Sequence, residues 1–165
     1  MSKTIEDLAS EAASARTELH SGHGSQRPLS EGYDHVGMAG ELAFGKAVGL
    51  MPDFSLKSRG DKGVDFLLPL LLTVDVKTFR NPYNLPHEVG KSFADLFVLA
   101  GYKDEEGEAN LIGWATGWEL KNAPTKKLPK QDVLNHCIPA ENLRPMDHLF
   151  RKLMLGRKLV LEGEL

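Results

Sequence analysis

Two aspartates and a lysine interrupt the most apolar part of the chain, Asp65-Phe-Leu-Leu-Pro-Leu-Leu-Leu-Thr-Val-Asp75-Val-Lys77. Strand side chains alternate between faces. Leu71, Thr73, Asp75 and Lys77 therefore share one face, and Leu70, Leu72, Val74 and Val76 the other. If the chain turns back at Leu70, Asp65 falls opposite Asp75 on the same face. Opposed carboxylates on paired strands repel, and a divalent cation is the usual way to offset that repulsion. A third carboxylate, Glu41, stands in a helical pattern in a lane with Gly37, Phe44, Gly45 and Val48, among small and apolar neighbours. Such a set suits binding of an oxygen-loving cation with an ammonium held beside it. The plainer reading is a solvated strand face, since the chain has 23 acidic residues.

The elements that must position these groups follow from periodicity. Val36, Ala39, Ala43, Ala47 and Leu50 repeat at 3.6 residues, predicting a helix over Asp34 to Leu50 with Asp34 as its cap. Ser2 to His20 reads as an amphipathic helix that docks on the domain or on a second copy, so a homodimer is one expectation. The N-terminal helix thus occupies 1–20 and a flexible connector 21–30, within a single domain spanning 1–165. Ala94 to Tyr102 and Ala109 to Thr116 read as strands and Gly117 to Asn122 as a short helix. Met146, Leu149, Phe150, Leu153 and Met154 form a helical core stripe. Asp95 reads as structural, and Trp114 and Trp118 as core or edge packing. Thr78 to Gly90, with two prolines, reads as a long irregular loop. The fold class is α/β, bordering on α+β: a central mixed sheet flanked by helices.

With Glu41 in a first helix, Asp65 in a strand and Asp75-Val76-Lys77 in the next, the chain resembles the PD-(D/E)XK nuclease superfamily. That group includes restriction endonucleases, Holliday-junction resolvases and phage or repair exonucleases. The resemblance covers about Tyr33 to Thr116, and Val64 stands where the motif has its proline. It implies a restriction-endonuclease-like fold and an Mg²⁺- or Mn²⁺-dependent endo- or exonuclease, acting on DNA rather than RNA. Asp65, Asp75 and the Val76 carbonyl would hold the ion, and Glu41 would bind it through water or help hold a second. Lys77 would position or help deprotonate the attacking water, or stabilise the pentavalent phosphate. Candidate nucleic-acid contacts are Lys57, Arg59 and Lys62 in the glycine-rich approach to Asp65, then Arg80 and Lys91. Lys126 and Lys127 follow in what reads as a mobile basic loop. A catalytically inactive module of the same fold, binding nucleic acid or a protein, is the alternative.

Composition narrows the classes further. With 165 residues, 41% hydrophobic and 26% charged, the chain is long enough for one core. Its net charge of −3 excludes a globally basic polyanion binder, so any nucleic-acid site must be local or metal-assisted. The single cysteine, Cys137, cannot form an internal disulfide, which fits a cytoplasmic location. The longest apolar run, Phe66 to Leu72, is too short to cross a membrane. No phosphate-cradling glycine loop and no Ser-His-Asp or Cys-His pairing stands out. His20, His23 and His87 read as polar loop residues, with assistance to proton transfer as the alternative for His87.

Overall fold

The computed structural model describes residues 33–52 and 64–162, with residues 4, 7, 8, 10, 11 and 13–15 near the N-terminus. The expected connector at 21–30, His20 and His23, and the basic residues Lys57, Arg59 and Lys62 lie outside the described residues.

The chain turns back at Leu70, the position that sets Asp65 opposite Asp75. Strand β1 (Phe66–Leu67) pairs antiparallel with β2 (Thr73–Phe79), Phe66 opposite Val74 and Leu67 opposite Thr73. A 3-10 turn at Pro69–Leu71 reverses the chain. Pro69 suits its first position because its φ is already fixed. Leu70 (φ 68°) and Leu71 (φ 60°) are left-handed, which costs residues bearing a Cβ roughly 1–2 kcal/mol each.

Strand β2 continues into a parallel pairing with β4 (Leu96–Lys103), and β4 pairs antiparallel with β5 (Glu108–Thr116). The mixed sheet runs β1-β2-β4-β5. Parallel strands need a crossover, and the segment between β2 and β4 contains β3 (Asn84–Glu88). It joins β7 (Leu134–Pro139) and β6 (Thr125–Lys127) in an antiparallel sheet of order β3-β7-β6. This second sheet corrects two expectations. The stretch after Lys77 is largely strand, and Lys126 and Lys127 lie in β6 rather than in a mobile loop. Proline hid β3, and the strand tolerates it for a geometric reason. Pro86 lies opposite Cys137, whose N–H donates to Pro124 O at 3.0 Å on the other side of β7, so no donor is required of the proline.

The mixed sheet is covered on both faces. Val74, Val76, Leu96, Val98 and Trp114 pack with Phe44, Met146 and Leu149, that is, under α1 (Tyr33–Val48) and α3 (Met146–Glu162). Phe97, Leu99 and Ala115 pack with Leu85 and Leu120 beneath the second sheet and α2 (Gly117–Lys121). The molecule is thus a mixed α/β fold of helices, mixed sheet and antiparallel sheet. Helix α1 lies close on β2 because Gly40 has no side chain: a Cβ there would meet Thr78 Oγ1 at 1.9 Å. It ends at Gly49 (φ 72°), with Leu50 N donating to Gly45 O at 2.9 Å, a glycine-terminated helix end. Asp34 lies inside its first turn rather than capping it. Near the N-terminus, Thr4 and Asp7 cap each other reciprocally, and Ala13 packs on Met38 and Leu42. Trp114 is core, but Trp118 is 74% exposed, and Met154 in the α3 stripe is 66% exposed. No helix among the described residues is long and apolar enough to cross a membrane.

Candidate active site

Asp75 stands in the middle of β2, between Val74 and Val76. Because those neighbours face α1, Asp75 faces the second sheet. It is 2% exposed. Lys77, on the same face, brings Nζ to 2.7 Å from Asp75 Oδ2 and is the ion-pair partner of that buried oxygen. A carboxylate buried this deeply loses its hydration, and one ammonium only partly replaces it.

Asp65 lies just before β1, one step beyond the paired residues, where the register sets it opposite Asp75. Its N–H donates to Val74 O at 2.8 Å, and its Oδ2 accepts from Val76 N at 2.6 Å. The carboxylate therefore replaces the next rung of the ladder. Val76 turns its N–H toward this edge, and in a strand its C=O opens to the same side. Among the described residues no strand pairs with β2 there beyond Val74. Burial, the charge of Asp75 and the charge of Glu41 push the Asp65 pKa from 3.8 up to about 8, against the pull of the Val76 N–H and Lys77.

Glu41 is 8% exposed on α1, the helix over the opposite face of β2. Its charge, with that of Asp75, is one of the causes that raise the Asp65 pKa. The structure thus brings Glu41, Asp65, Asp75 and Lys77 into one electrostatic group. Among the described residues no three carboxylate, imidazole or thiol groups converge as a ready ligand cluster.

The donor chemistry fits a hard cation. Asp75 is a buried carboxylate paired with Lys77, the Asp65 carboxyl is pushed toward its protonated form by burial and its neighbours, and the Val76 carbonyl opens on the same edge. Mg²⁺ commonly takes one or two carboxylates and keeps several waters, so a set smaller than three side chains suffices.

Sequence reasoning placed His87 on a polar loop, whereas the structure buries it. It sits in β3, 6% exposed, with its ring 4.3 Å from Phe93 and 4.9 Å from Phe97. Burial and the Lys77 charge hold its pKa below the ordinary range, while Asp75 and backbone hydrogen bonds at Lys91 and Ser92 pull the other way. The signal was the apolar alternation through Leu85 and His87, obscured by Pro86. Asp95 is structural as expected, accepting from Thr73 N at 2.8 Å and Thr73 Oγ1 at 2.7 Å. Cys137 is buried, and burial pushes its thiol pKa up, the opposite of what a thiolate nucleophile requires.

The candidate phosphate contacts are dispersed. Arg80 holds Asp104 at 2.8 and 2.9 Å and lies over the Tyr102 ring, so a phosphate would compete with that pair. Lys126 donates to Asn84 Oδ1 at 2.7 Å, tying β6 to the start of β3. Lys127 pairs with Asp132, and Lys91 is exposed. Comparison of the chain with protein-family models, with curated proteins and with solved structures finds no match.

Proposed function

We propose that the chain hydrolyses phosphodiester bonds in nucleic acid, DNA in preference to RNA, with Mg²⁺ or Mn²⁺ as cofactor. The observation that carries this reading is geometric: Asp65, bound to the Val76 N–H, stands opposite the buried Asp75 at a strand edge where Lys77 also stands. Carboxylates gathered at such a cost point to a cation that relieves it. Asp65, Asp75 and the Val76 carbonyl would hold the ion, with Glu41 behind them. The ion supplies charge neutralisation at the phosphate and acidifies a bound water.

The chain's own residues do the rest. Asp75 fixes the ammonium of Lys77 at the site, where it acts as a donor to the attacking water or the phosphate oxygens. The Val76 N–H orients the Asp65 carboxylate, which would release its proton to solvent before serving as a ligand. The second sheet closes over Asp75 and excludes bulk water, which strengthens each of these interactions. Preference for DNA rests on the resemblance to the PD-(D/E)XK superfamily.

The experiment is cleavage of a panel of labelled duplex, flap, junction and single-stranded substrates with Mg²⁺ or Mn²⁺. Lys77→Met should lower the rate by orders of magnitude and change nucleic-acid affinity by about tenfold or less. Cleavage that survives the substitution unchanged places the chemistry elsewhere. A second reading, a binding module without catalysis, is favoured by one observation: Lys77 is already engaged with Asp75. Nucleic acid bound but never cut across the panel would decide for it.

A further inference from the structure

We propose that the cleft between α3 and the turn joining β1 to β2 binds an amphipathic carboxylate: an acyl chain laid along α3, with its carboxylate among Arg144, His148 and Lys152. The inference is independent of the nuclease reading, since none of Glu41, Asp65, Asp75 and Lys77 lines this cleft.

Three observations carry it. First, the cleft has the size of a small-molecule site: its volume is about 510 Å³, within the usual range for ligand pockets. Leucines make much of its wall, Leu70 and Leu72 from the turn and Leu149 and Leu153 from α3. Second, its two ends differ. Residues four apart lie on one side of a helix, so His148, Lys152 and Gly156 form a single lane of α3. At the start of that lane the Arg144 guanidinium lies over the Trp114 ring, 4.7 Å from its centroid, and the His148 ring centroid is 6.1 Å from that of Trp114. At the far end a Cβ on Gly156 would lie 3.5 Å from Leu70 Cδ1, so glycine leaves room against the turn. The helix rises about 12 Å from His148 to Gly156, the reach of a medium-length acyl chain. Third, the polar groups at the Trp114 end offer donors and positive charge, and no carboxylate lines the cleft among the described residues. Glu119 accepts from both terminal nitrogens of Arg144 and from the Thr116 hydroxyl, which fixes the guanidinium in place, and the exposed Lys152 adds a further cation. Trp114 Nε1 is buried without an acceptor; indole can only donate, and such orphans are rare. This end suits an anionic acceptor, and the leucine-lined remainder an apolar chain.

The test titrates the full ¹⁵N-labelled chain with decanoate and follows the Trp114 indole N–H resonance. The chain has two tryptophans, and Trp118→Phe, at an exposed position, assigns their signals. Decanoate should shift the Trp114 signal saturably and decylammonium should not. Acetate, the head group alone, should need at least about a hundredfold higher concentration, because it buries no chain. Lys152→Gln should weaken decanoate binding about threefold to fivefold. Gly156→Leu adds a helix-favouring side chain at the apolar end and should abolish saturable binding, its amide spectrum checking that the fold is retained. Gly156→Ala is the milder probe, since its Cβ makes only ordinary contact with Leu70, and should lower affinity for decanoate more than for hexanoate. The proposal is overturned by the absence of a saturable Trp114 shift with decanoate, by an equal shift with decylammonium, or by undiminished decanoate affinity in Lys152→Gln or in folded Gly156→Leu. If Gly156→Leu does not fold, equal losses for decanoate and hexanoate in Gly156→Ala overturn it instead.

Discussion

Asp65→Asn should stabilise the protein, and by an amount that grows with pH. In the folded chain the Asp65 carboxyl titrates near pH 8 instead of 3.8. Between those values the native state holds a proton that the unfolded state has released. Wild-type stability therefore falls as pH rises through the window, with a slope of up to about 1.4 kcal/mol per pH unit. A shift of about four units sets a ceiling of roughly 6 kcal/mol. Asp65 precedes a two-residue strand and can move, and part of the repulsion remains between Asp75 and Glu41. We expect about 2 kcal/mol at pH 8, in line with the usual discount on interactions near a protein surface. Asparagine keeps an oxygen for the Val76 N–H and carries no charge. Urea unfolding of both proteins, from about pH 4 to about pH 9 without divalent ions, measures the difference. The two should nearly coincide at the acid end and diverge steadily toward pH 8, the substituted protein being the more stable. Parallel curves across that range, or a wild type that gains on Asp65→Asn as pH rises, would refute the electrostatic account of the site.

Glu41→Gln should reduce cleavage strongly while leaving the melting temperature unchanged or higher, because Glu41 adds negative charge beside Asp65; near-normal cleavage would remove it from the site. Gly40→Ala should destabilise by about 1–3 kcal/mol in denaturant unfolding, since its Cβ would fall 1.9 Å from Thr78 Oγ1. Glu119→Ala should cost about 1–2 kcal/mol. It removes the capping box with Thr116, in which Glu119 Oε2 accepts from Thr116 N at 2.8 Å, and the partner of Arg144, whose guanidinium stacks on Trp114. Thermal unfolding of this variant reads the loss.

The faces of the hairpin were legible because alternation is a local property, and Pro69-Leu70 marked the joint between its strands; a turn at Leu70, supposed from the sequence, is what sets Asp65 against Asp75. Helix α1 was legible for the same reason, although Gly49 ends it before Met51-Pro52. The second sheet was not. Its strands are short, two carry proline, and β6 is Thr-Lys-Lys, fully exposed, so no hydrophobic pattern marks it. What makes these segments strands is mutual pairing between residues far apart in sequence, His87 with His136 and Lys126 with Asn135. His87 was misplaced for this reason, and so was the depth of Asp75, whose burial depends on that sheet. Trp118 failed differently: a five-residue helix buries only Gly117 and Leu120, and aromatic character alone does not tell which side faces the core.

The two coverings of β2 come from opposite directions along the chain. Helix α1 and β1 are made before β2, whereas β3 is held by β7, which begins at Leu134. On a growing chain α1 can settle on the Val74 and Val76 side of β2 early, through contacts near in sequence, with α3 completing that layer of the core later. The Asp75 and Lys77 side must wait for a distant strand, and distant pairings form slowly. Along β2, then, the side that has no early cover from α1 is the one whose carboxylate and ammonium water solvates well. Their dehydration is deferred to one of the last steps of folding, when most of the apolar surface needed to drive it is already in place.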